Sequence, residues 1–315
     1  MSAPIIFIHY NDSKYLKYTL QSAVVKNPDK NVYLIGDSSN KHYEKFGVIH
    51  HFFSDYLFGK DLEEFESVFQ FIVGVEFNNS TYGEQWTRFN FRKWFVLANF
   101  LEDNEISNFW IFDSDVLIIE PLKSFENHFA KYDFTTSSGD LYQLFGFVSS
   151  SKLIKKFSKS VIDMFRDDLY LEEQRRIMQE NPNWGLTMMR AFQRFKKICD
   201  INAKYIFNQT EIVPGVLFLD YHREGTARFS KTRGLVSLFL NNKGLFVKVG
   251  EDYFRVPLMN MSWMPHYLMR RVYNLTSKKI DEENMESISF KRPLGDKLRS
   301  QLSTFYHYFI RHLEL

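Results

Sequence analysis

The stretch that decides the fold is Asn108-Phe-Trp-Ile-Phe-Asp-Ser-Asp115, which runs on into Val116-Leu-Ile-Ile119. A short apolar run rich in β-favouring residues and bounded by polar ones predicts a buried strand. This strand ends in two carboxylates, Asp113 and Asp115, that lie one residue apart. Because alternate side chains of an extended segment face the same side, both acids can point into one site.

The chain ahead of this strand has the pattern of a β-α-β unit. Residues 4–8 predict a first strand, apolar positions between residues 16 and 24 recur at helical spacing, and residues 32–35 predict a second strand. Such units build parallel sheets whose ligands bind at the carboxyl ends of the strands. We therefore predict an α/β fold with a mostly parallel central sheet.

Further elements follow from periodicity. Residues 84–101 contain no Gly or Pro and predict a helix, with its buried face formed by Phe91, Trp94, Phe95, Ala98 and Leu101. Other helices are predicted over residues 152–180 and 183–196. Strands are predicted near residues 71–73 and over 212–219, and a hairpin over 244–256.

The composition predicts one large domain with an appendage. Of 315 residues, 44% are apolar and 25% charged, which is enough to bury a core. A polar connector begins near residue 277, so we divide the chain into a domain over residues 1–275 and a C-terminal helical extension over 276–315. In residues 291–315, basic and aromatic side chains share a helical pattern that suits either docking on the domain or peripheral contact with an anionic membrane.

Charge and cysteine usage exclude some classes of protein. The chain has 40 basic and 38 acidic residues, a balance that argues against a dedicated nucleic-acid binder. Its only cysteine, Cys199, can form neither an internal disulfide nor a thiolate metal cluster.

The N-terminus lacks the pattern of a signal peptide, and no apolar run approaches the ~18 residues of a spanning helix. The expected location is therefore the cytoplasm, including peripheral attachment to the inner face of the membrane.

The spacing of Asp113 and Asp115 suits one kind of chemistry. A departing nucleoside diphosphate carries negative charge that a divalent cation can neutralise. Mg²⁺ and Mn²⁺ prefer hard oxygen ligands, which carboxylates supply. The pair therefore predicts a site for a metal ion and a diphosphate.

On these residues the sequence resembles glycosyltransferases of the GT-A fold, a Rossmann-like nucleotide-diphospho-sugar transferase fold. Residues 84–95, an aromatic helix that bears arginines, followed by the D-x-D strand 108–115, are similar to bacterial polysaccharide-type members. The resemblance covers about residues 4–150. It implies Mn²⁺- or Mg²⁺-dependent transfer of a sugar from a UDP- or GDP-sugar to a hydroxyl of a glycan or lipid-linked oligosaccharide.

The resemblance also implies roles near the donor. His9 and Asn11 follow the first strand and would border the nucleotide, and Asp37 follows the second and would meet the base or ribose. Ser114, between the two acids, would join the donor-binding residues.

Two arginines and a late histidine complete the implied set. Arg88 and Arg92 share a helix face and would approach the diphosphate with their guanidinium groups. His266 is the candidate for a third metal ligand, although the family's frequent His-x-x-Gly-x-Lys ending is absent.

The catalytic base has no clear candidate. Inverting members of the family carry an acid downstream of the D-x-D, but the segment expected there, residues 181–187, contains none. Asp200 and Glu211 lie nearby in the sequence and are the candidates, but no motif surrounds either of them. The absence of an acid from residues 181–187 favours a retaining mechanism or a base that lies outside this segment.

Two other functions compete. Phe112-Asp-Ser-Asp-Val116 also matches the motif of haloacid-dehalogenase-type phosphatases, although in that family the motif normally sits in the first strand. The other is a catalytically inactive glycan-binding protein built on a GT-A core.

Overall fold

The structure is a computed structural model that describes residues 2–77, 83–137, 144–221, 229–232, 235–262, 264, 266–278 and 286–288. Its α-helices are α1 (Leu16–Lys26), α2 (Lys60–Val68), α3 (Gly83–Asp103), α4 (Lys123–Phe129), α5 (Lys152–Arg166), α6 (Asp168–Glu180), α7 (Met188–Cys199) and α8 (His266–Thr276). Its first strands are β1 (Ile5–Ile8), β2 (Val32–Gly36), β3 (Ile49–Phe52), β4 (Phe109–Phe112), β5 (Val116–Ile118), β6 (Phe134–Thr136), β7 (Leu144–Val148) and β8 (Ala203–Tyr205). The later strands are β9 (Leu219–Asp220), β10 (Lys231–Thr232), β11 (Leu235–Val236), β12 (Leu238–Asn241), β13 (Gly244–Val249), β14 (Asp252–Arg255), β15 (Leu258–Asn260) and β16 (Glu286–Ser287).

A seven-stranded sheet in the order β3-β2-β1-β4-β7-β6-β8 forms the centre of the protein. β1 pairs in parallel with β2 and with β4, β2 with β3, and β6 with β8, whereas β7 runs antiparallel to both of its neighbours. The prediction of a mixed α/β fold with a mostly parallel central sheet is therefore confirmed. The β1-α1-β2 unit lies where the sequence predicts it.

Helices cover both faces of this sheet because its inner strands are apolar on both sides. In β1, Ile6 faces the layer built on α3, while Ile5 and Phe7 face the layer built on α1. In β4, Ile111 faces the layer built on α3 and Trp110 faces the layer built on α1. Continuous apolar runs of this kind are typical of parallel strands buried between helices.

Helix α3 is the main support of one face. Its predicted apolar stripe is buried in full, at Phe91, Trp94, Phe95, Ala98 and Leu101. Because α3 leads into β4 from the opposite direction, its first turns lie at the carboxyl edge of the sheet. The beginning of α3 is thereby brought beside the end of β4.

A second unit of small sheets packs beside the central sheet. β15 lies between β5 and β9, antiparallel to β5 and parallel to β9. A further sheet has the order β14-β13-β12-β16 and contains the predicted hairpin as β13 and β14. Helix α8 packs on this unit through Leu268, Met269 and Val272.

Several predicted elements differ from the structure. The helix predicted over 152–180 divides into α5 and α6, because the Asp167 carboxylate accepts a hydrogen bond from the Tyr170 amide and so starts a new helix. The strand predicted over 212–219 is only β9, since residues 213–216 form a turn. Near residues 71–73, the predicted strand is an isolated bridge between Val73 and Gly185.

The C-terminal extension predicted over residues 276–315 lies largely outside the described residues, including its amphipathic stretch 291–315. Its described parts are residues 276–278, which include the last residue of α8, and residues 286–288, which begin with strand β16 paired with β12. Within the described ranges no helix combines the length and apolar character needed to cross a membrane.

Candidate functional site

A cavity of about 580 Å³ opens at the carboxyl edge of the central sheet, beyond β1 and β4. One side of it is acidic and polar, with Asp113, Ser114, Asp115, Asp220 and Ser262. The other side is aromatic and comes largely from the start of α3. The remaining lining residues are Ile8, His9, Tyr10, Tyr15, Phe77, Trp86, Thr87, Phe89, Asn90, Lys93, Thr187, Met188 and Met189.

Asp113 and Asp115 lie on this cavity, as the end of strand β4 predicts. Burial, followed by the charge of Asp113, raises the pKa of Asp115 to about 6, and the Ser262 hydroxyl opposes this rise. One carboxylate oxygen of Asp115, Oδ1, is buried and has no hydrogen-bond partner. A buried acceptor without a partner is costly and calls for a cation or donor.

A third acid, Asp220, lies on the same cavity and was missed by the sequence analysis. It is 1% exposed, and its charge acts on Asp115 in the same direction as that of Asp113. The Asn260 side-chain amide donates to the Asp220 carboxylate at 3.1 Å, and the Asn208 side-chain carbonyl accepts from the Asp220 amide at 2.9 Å. The signal was present in Leu217-Phe-Leu-Asp220, where an apolar run ends in an acid as it does at Asp113.

Lys93 supplies positive charge to the acidic side. Its Nζ lies 4.0 Å from Oδ1 of Asp113, and its side chain is 12% exposed. Burial lowers the pKa of Lys93, while the charges of Asp113 and Asp115 act to raise it. The cavity therefore holds a partly desolvated ammonium group beside two carboxylates.

Two residues predicted at the donor, His9 and Ser114, lie on the cavity and contact each other. The His9 Nδ1 is 2.8 Å from the Ser114 Oγ. The Tyr15 hydroxyl is 3.3 Å from the same oxygen. Burial lowers the pKa of His9, opposed by the charges of Asp37 and Asp12.

The aromatic side of the cavity is built around Phe89. Its ring lies 5.9 Å from that of Trp86 with the two planes 26° apart, and 5.9 Å from the ring of Tyr10. Trp86 and Tyr10 are 52% and 55% exposed. Large aromatic faces left open to solvent at a cavity offer a stacking surface for a ring-shaped ligand.

A pair of loops leads directly into two lining residues of the cavity, Phe77 and Thr187. Residues 72–76 and 182–186 are joined by hydrogen bonds from the Gly74 amide to the Trp184 carbonyl, and from the Leu186 amide to the Ile72 carbonyl, both at 2.8 Å. A Cβ at Gly74 would lie 2.3 Å from the backbone oxygen of Pro182. The paired loops therefore require glycine at that position.

Asn11 and Asp37, predicted at the nucleotide, are near each other but are not among the residues that line the cavity. The Asn11 amide donates to the Asp37 carboxylate, and Asn11 has a positive φ of 67°. The Asn40 side-chain amide nitrogen holds this loop together by donating to the backbone carbonyls of His9 and Asn11. These contacts fix the loop after β1.

His266 lies close to the site without lining the cavity. It is exposed at the start of α8, and its ring lies 4.9 Å from that of Tyr15. It therefore contacts Tyr15, which does line the cavity, and its predicted role as a metal ligand stays a prediction.

The structure places Arg88 and Arg92 away from the cavity. Both pair with Glu66 of α2, and Arg88 also pairs with Glu84 at 2.7 Å. The stripe of α3 that faces the cavity is instead formed by Trp86, Thr87, Phe89, Asn90 and Lys93. Neither arginine is therefore part of the cavity lining, and the predicted contact with a diphosphate stays a prediction.

Neither candidate base reaches the cavity. Asp200 ends α7 with a left-handed φ of 47° and is exposed, and Glu211 is exposed in a loop. The acids that do line the cavity are Asp113, Asp115 and Asp220.

No family model matches the sequence, and no curated protein matches it. Among solved structures, the chain is similar to mouse xyloside xylosyltransferase 1 in its apo form, with 7% identity, 66% of this chain and 85% of that chain covered, and a TM-score of 0.43. It is also similar to the PaToxG glycosyltransferase, with 11% identity, 67% and 72% covered, and a TM-score of 0.33. Likenesses this distant assign no activity to the chain.

Proposed function

We propose that this protein is a metal-dependent glycosyltransferase that moves a sugar from a UDP- or GDP-sugar to a hydroxyl of a glycan or lipid-linked glycan. The observation that carries the proposal is the cavity at the carboxyl edge of the sheet, which is lined both by Asp113, Asp115 and Asp220 and by aromatic rings. Ligands of open α/β sheets bind at this edge. A nucleotide sugar combines a diphosphate with rings, and the two sides of the cavity match those two parts.

A divalent cation suits the donor atoms of the acidic side. No group of three or more His, Cys, Asp or Glu side chains in the described ranges could hold a metal ion. Mg²⁺ and Mn²⁺, however, are often bound by one or two carboxylates that are supplemented by substrate phosphates and water. Asp113 and Asp115 are such a pair, and the unpartnered Oδ1 of Asp115 is an oxygen that a cation would satisfy. When bound, the ion would stabilise the charge on the departing diphosphate.

The protein's own residues supply the remaining functions. Lys93 places an ammonium group beside Asp113, where it can hold phosphate oxygens as charge develops on them. Thr87 and Asn90, which lie six and three residues before Lys93 on α3, offer polar groups to the same cavity. Trp86, Phe89 and the other rings exclude water and offer faces for stacking.

The test is binding of nucleotides with and without the metal. Wild type, Asp115→Asn and the exposed helix variant Asp163→Asn are heated with UDP or GDP in Mn²⁺ or in EDTA. We expect a rise in the unfolding temperature that requires both nucleotide and Mn²⁺, is lost in Asp115→Asn and is kept in Asp163→Asn. Hydrolysis of the matching UDP- or GDP-sugar should follow the same pattern. Equal shifts in EDTA and Mn²⁺, or a full shift in Asp115→Asn, would refute the proposal.

The same assays separate the competing functions. A haloacid-dehalogenase-type phosphatase would release phosphate from simple phosphate esters and leave nucleotide sugars intact. An inactive glycan-binding protein would respond to oligosaccharides alone and to no nucleotide. The cytoplasmic location, the lipid-linked acceptor and peripheral membrane contact through residues 291–315 belong to the proposal as well, and a vesicle-binding assay with anionic lipids tests the last of these.

A further inference from the structure

Ser114, the residue between the two acids, is held from three directions by the segment that follows β1. The Thr19 hydroxyl donates to the Ser114 carbonyl at 2.6 Å. The Ser114 hydroxyl meets the His9 Nδ1 at 2.8 Å and the Tyr15 hydroxyl at 3.3 Å. Both the backbone and the side chain of Ser114 are therefore fixed by other parts of the protein.

His9 in turn has both ring nitrogens occupied within the protein. Its Nε2 lies 3.2 Å from the Ser13 hydroxyl, opposite the Nδ1 that meets Ser114. The ring also packs edge-on against Tyr15, with the centroids 6.0 Å apart. Because burial lowers the pKa of His9, the neutral ring is favoured, which has one donor and one acceptor. Two hydroxyl partners match that capacity.

We propose that His9 is a positioning residue: through Ser114 it fixes the turn that aims Asp113 and Asp115 into the cavity. This inference rests on the proposed function and gives His9 a role different from the contact with the nucleotide that its sequence position predicts. Residues that orient metal ligands in this way set affinity without touching the ion.

The turn needs such support for electrostatic reasons. Asp113 and Asp115 repel each other, and Asp115 is buried next to a further acid, Asp220. A turn that could rotate freely would relieve this repulsion by moving the carboxylates apart towards water. The bonds from His9, Tyr15 and Thr19 to Ser114 oppose that movement. The acids thus stay close together before a cation arrives.

The experiment measures Mn²⁺ affinity by electron paramagnetic resonance, with the metal alone and with saturating UDP or GDP. We expect His9→Ala to weaken Mn²⁺ binding roughly 10-fold, as is typical when a residue that orients a ligand is lost. His9→Asn keeps a polar atom near the Nδ1 position and should stay within about two-fold of wild type, whereas His9→Gln, with its amide near the Nε2 position, should resemble His9→Ala. His51→Ala removes another half-buried histidine that lies outside the cavity lining, and it should leave Mn²⁺ affinity unchanged.

A double-mutant cycle distinguishes positioning from direct contact with the ligand. If His9 acts through Ser114, then Ser114→Ala should weaken Mn²⁺ binding as much as His9→Ala, and the double variant should weaken it no further. Additive losses, or a loss confined to nucleotide affinity with Mn²⁺ affinity intact, would overturn the inference. Unfolding temperatures without ligand identify any variant that fails to fold. In that case His9→Gln, which also loses the Nδ1 contact, or Ser114→Cys, whose thiol is only a weak hydrogen-bonding group, takes its place in the cycle.

The outcomes also separate this inference from the proposed function. If wild type binds neither Mn²⁺ nor nucleotide, the proposed function fails. If wild type binds both and His9→Ala binds Mn²⁺ equally well, only the role of His9 fails.

Discussion

The Lys93 Nζ lies 4.0 Å from Oδ1 of Asp113, inside the cavity and largely shielded from water. Burial lowers the pKa of this lysine, and the two nearby carboxylates, Asp113 and Asp115, act to raise it. The lysine and the acids therefore stabilise each other's charged forms in the absence of ligand. An incoming diphosphate with its cation would provide new partners for both charges.

Replacing Lys93 by Met should weaken binding of nucleoside diphosphates far more than binding of Mn²⁺ alone. The variant keeps the apolar stem but loses the ammonium group, and charge-assisted contacts to phosphate are worth roughly 1.5–3 kcal/mol, or about 10- to 100-fold in affinity. Isothermal titration with UDP or GDP and Mn²⁺ measures the change. Lys155→Met is the matched control, because Lys155 also pairs with a carboxylate, that of Glu102 at 2.7 Å, but is 53% exposed and lies outside the cavity lining. An equal loss in both variants would contradict the expected role.

Asp115→Asn should stabilise the metal-free protein at neutral pH. The folded-state pKa of Asp115, about 6, is above its ordinary value of 3.8, so the folded state binds more protons than the unfolded state between these pH values. The free energy of unfolding of wild type therefore falls as the pH rises from about 4 to about 6. Asp115→Asn removes this cost of burying the ionised carboxylate, which is on the order of 2–3 kcal/mol. Urea unfolding of wild type and variant in EDTA at pH 4, 5, 6 and 7.5 checks this. A gain that stays the same at pH 4 would show that the carboxylate charge is not the cause.

Removing the ring of Trp86 should weaken nucleotide or acceptor binding without affecting the fold. Its indole is 52% exposed at the cavity and packs on Phe89, and a stacked ring is worth about 1 kcal/mol or more. We expect Trp86→Ala to weaken binding by roughly 3- to 10-fold and Trp86→Phe to recover part of that loss. Trp184→Ala is the control, since Trp184 is similarly exposed at 49% but does not line the cavity. Tryptophan fluorescence offers a second measurement. Ligand should still quench the fluorescence of the Trp184→Ala variant, which keeps Trp86, and should quench that of the Trp86→Ala variant less.

Gly74→Ala should loosen the paired loops that border the cavity. The added Cβ would meet the Pro182 carbonyl oxygen at 2.3 Å, so the backbone must move and the bond between the Gly74 amide and the Trp184 carbonyl must lengthen. A destabilisation of roughly 1–3 kcal/mol is expected in urea unfolding. Val75→Ala, one residue along at a side chain that is 97% exposed, should have no measurable effect. Unchanged stability of Gly74→Ala would mean that the loops tolerate separation.

Local patterns predicted the half of the fold that is built from consecutive elements. Strands β1, β2 and β4 and helices α1 and α3 are apolar at the spacings that their secondary structure requires, so their positions follow from residues close in sequence. The position of Asp113 and Asp115 follows from the same logic, because a strand end fixes where the next residues lie.

The rest depended on contacts between distant segments. Arg88 and Arg92 are drawn away from the cavity by Glu66, an acid on a different helix, and no pattern within α3 reveals this. Trp86, Asn90 and Lys93 form a second stripe, spaced four and three residues apart, that lines the cavity, and the spacing alone does not tell the two stripes apart. Asp220 was missed because its role depends on pairing of β9 with β15, forty residues later.

The position of β15 between β5 and β9 has a consequence for how the protein is made. Asn260 lies in register with Val116 on one side and with Asp220 on the other, and the Met261 amide donates to the Asp115 carbonyl. On the ribosome, a nascent chain can bring α1, α3 and β4 together long before residues 258–261 emerge. The acidic side of the cavity therefore gains its last brace late in synthesis, and unfinished chains would lack a fully formed site.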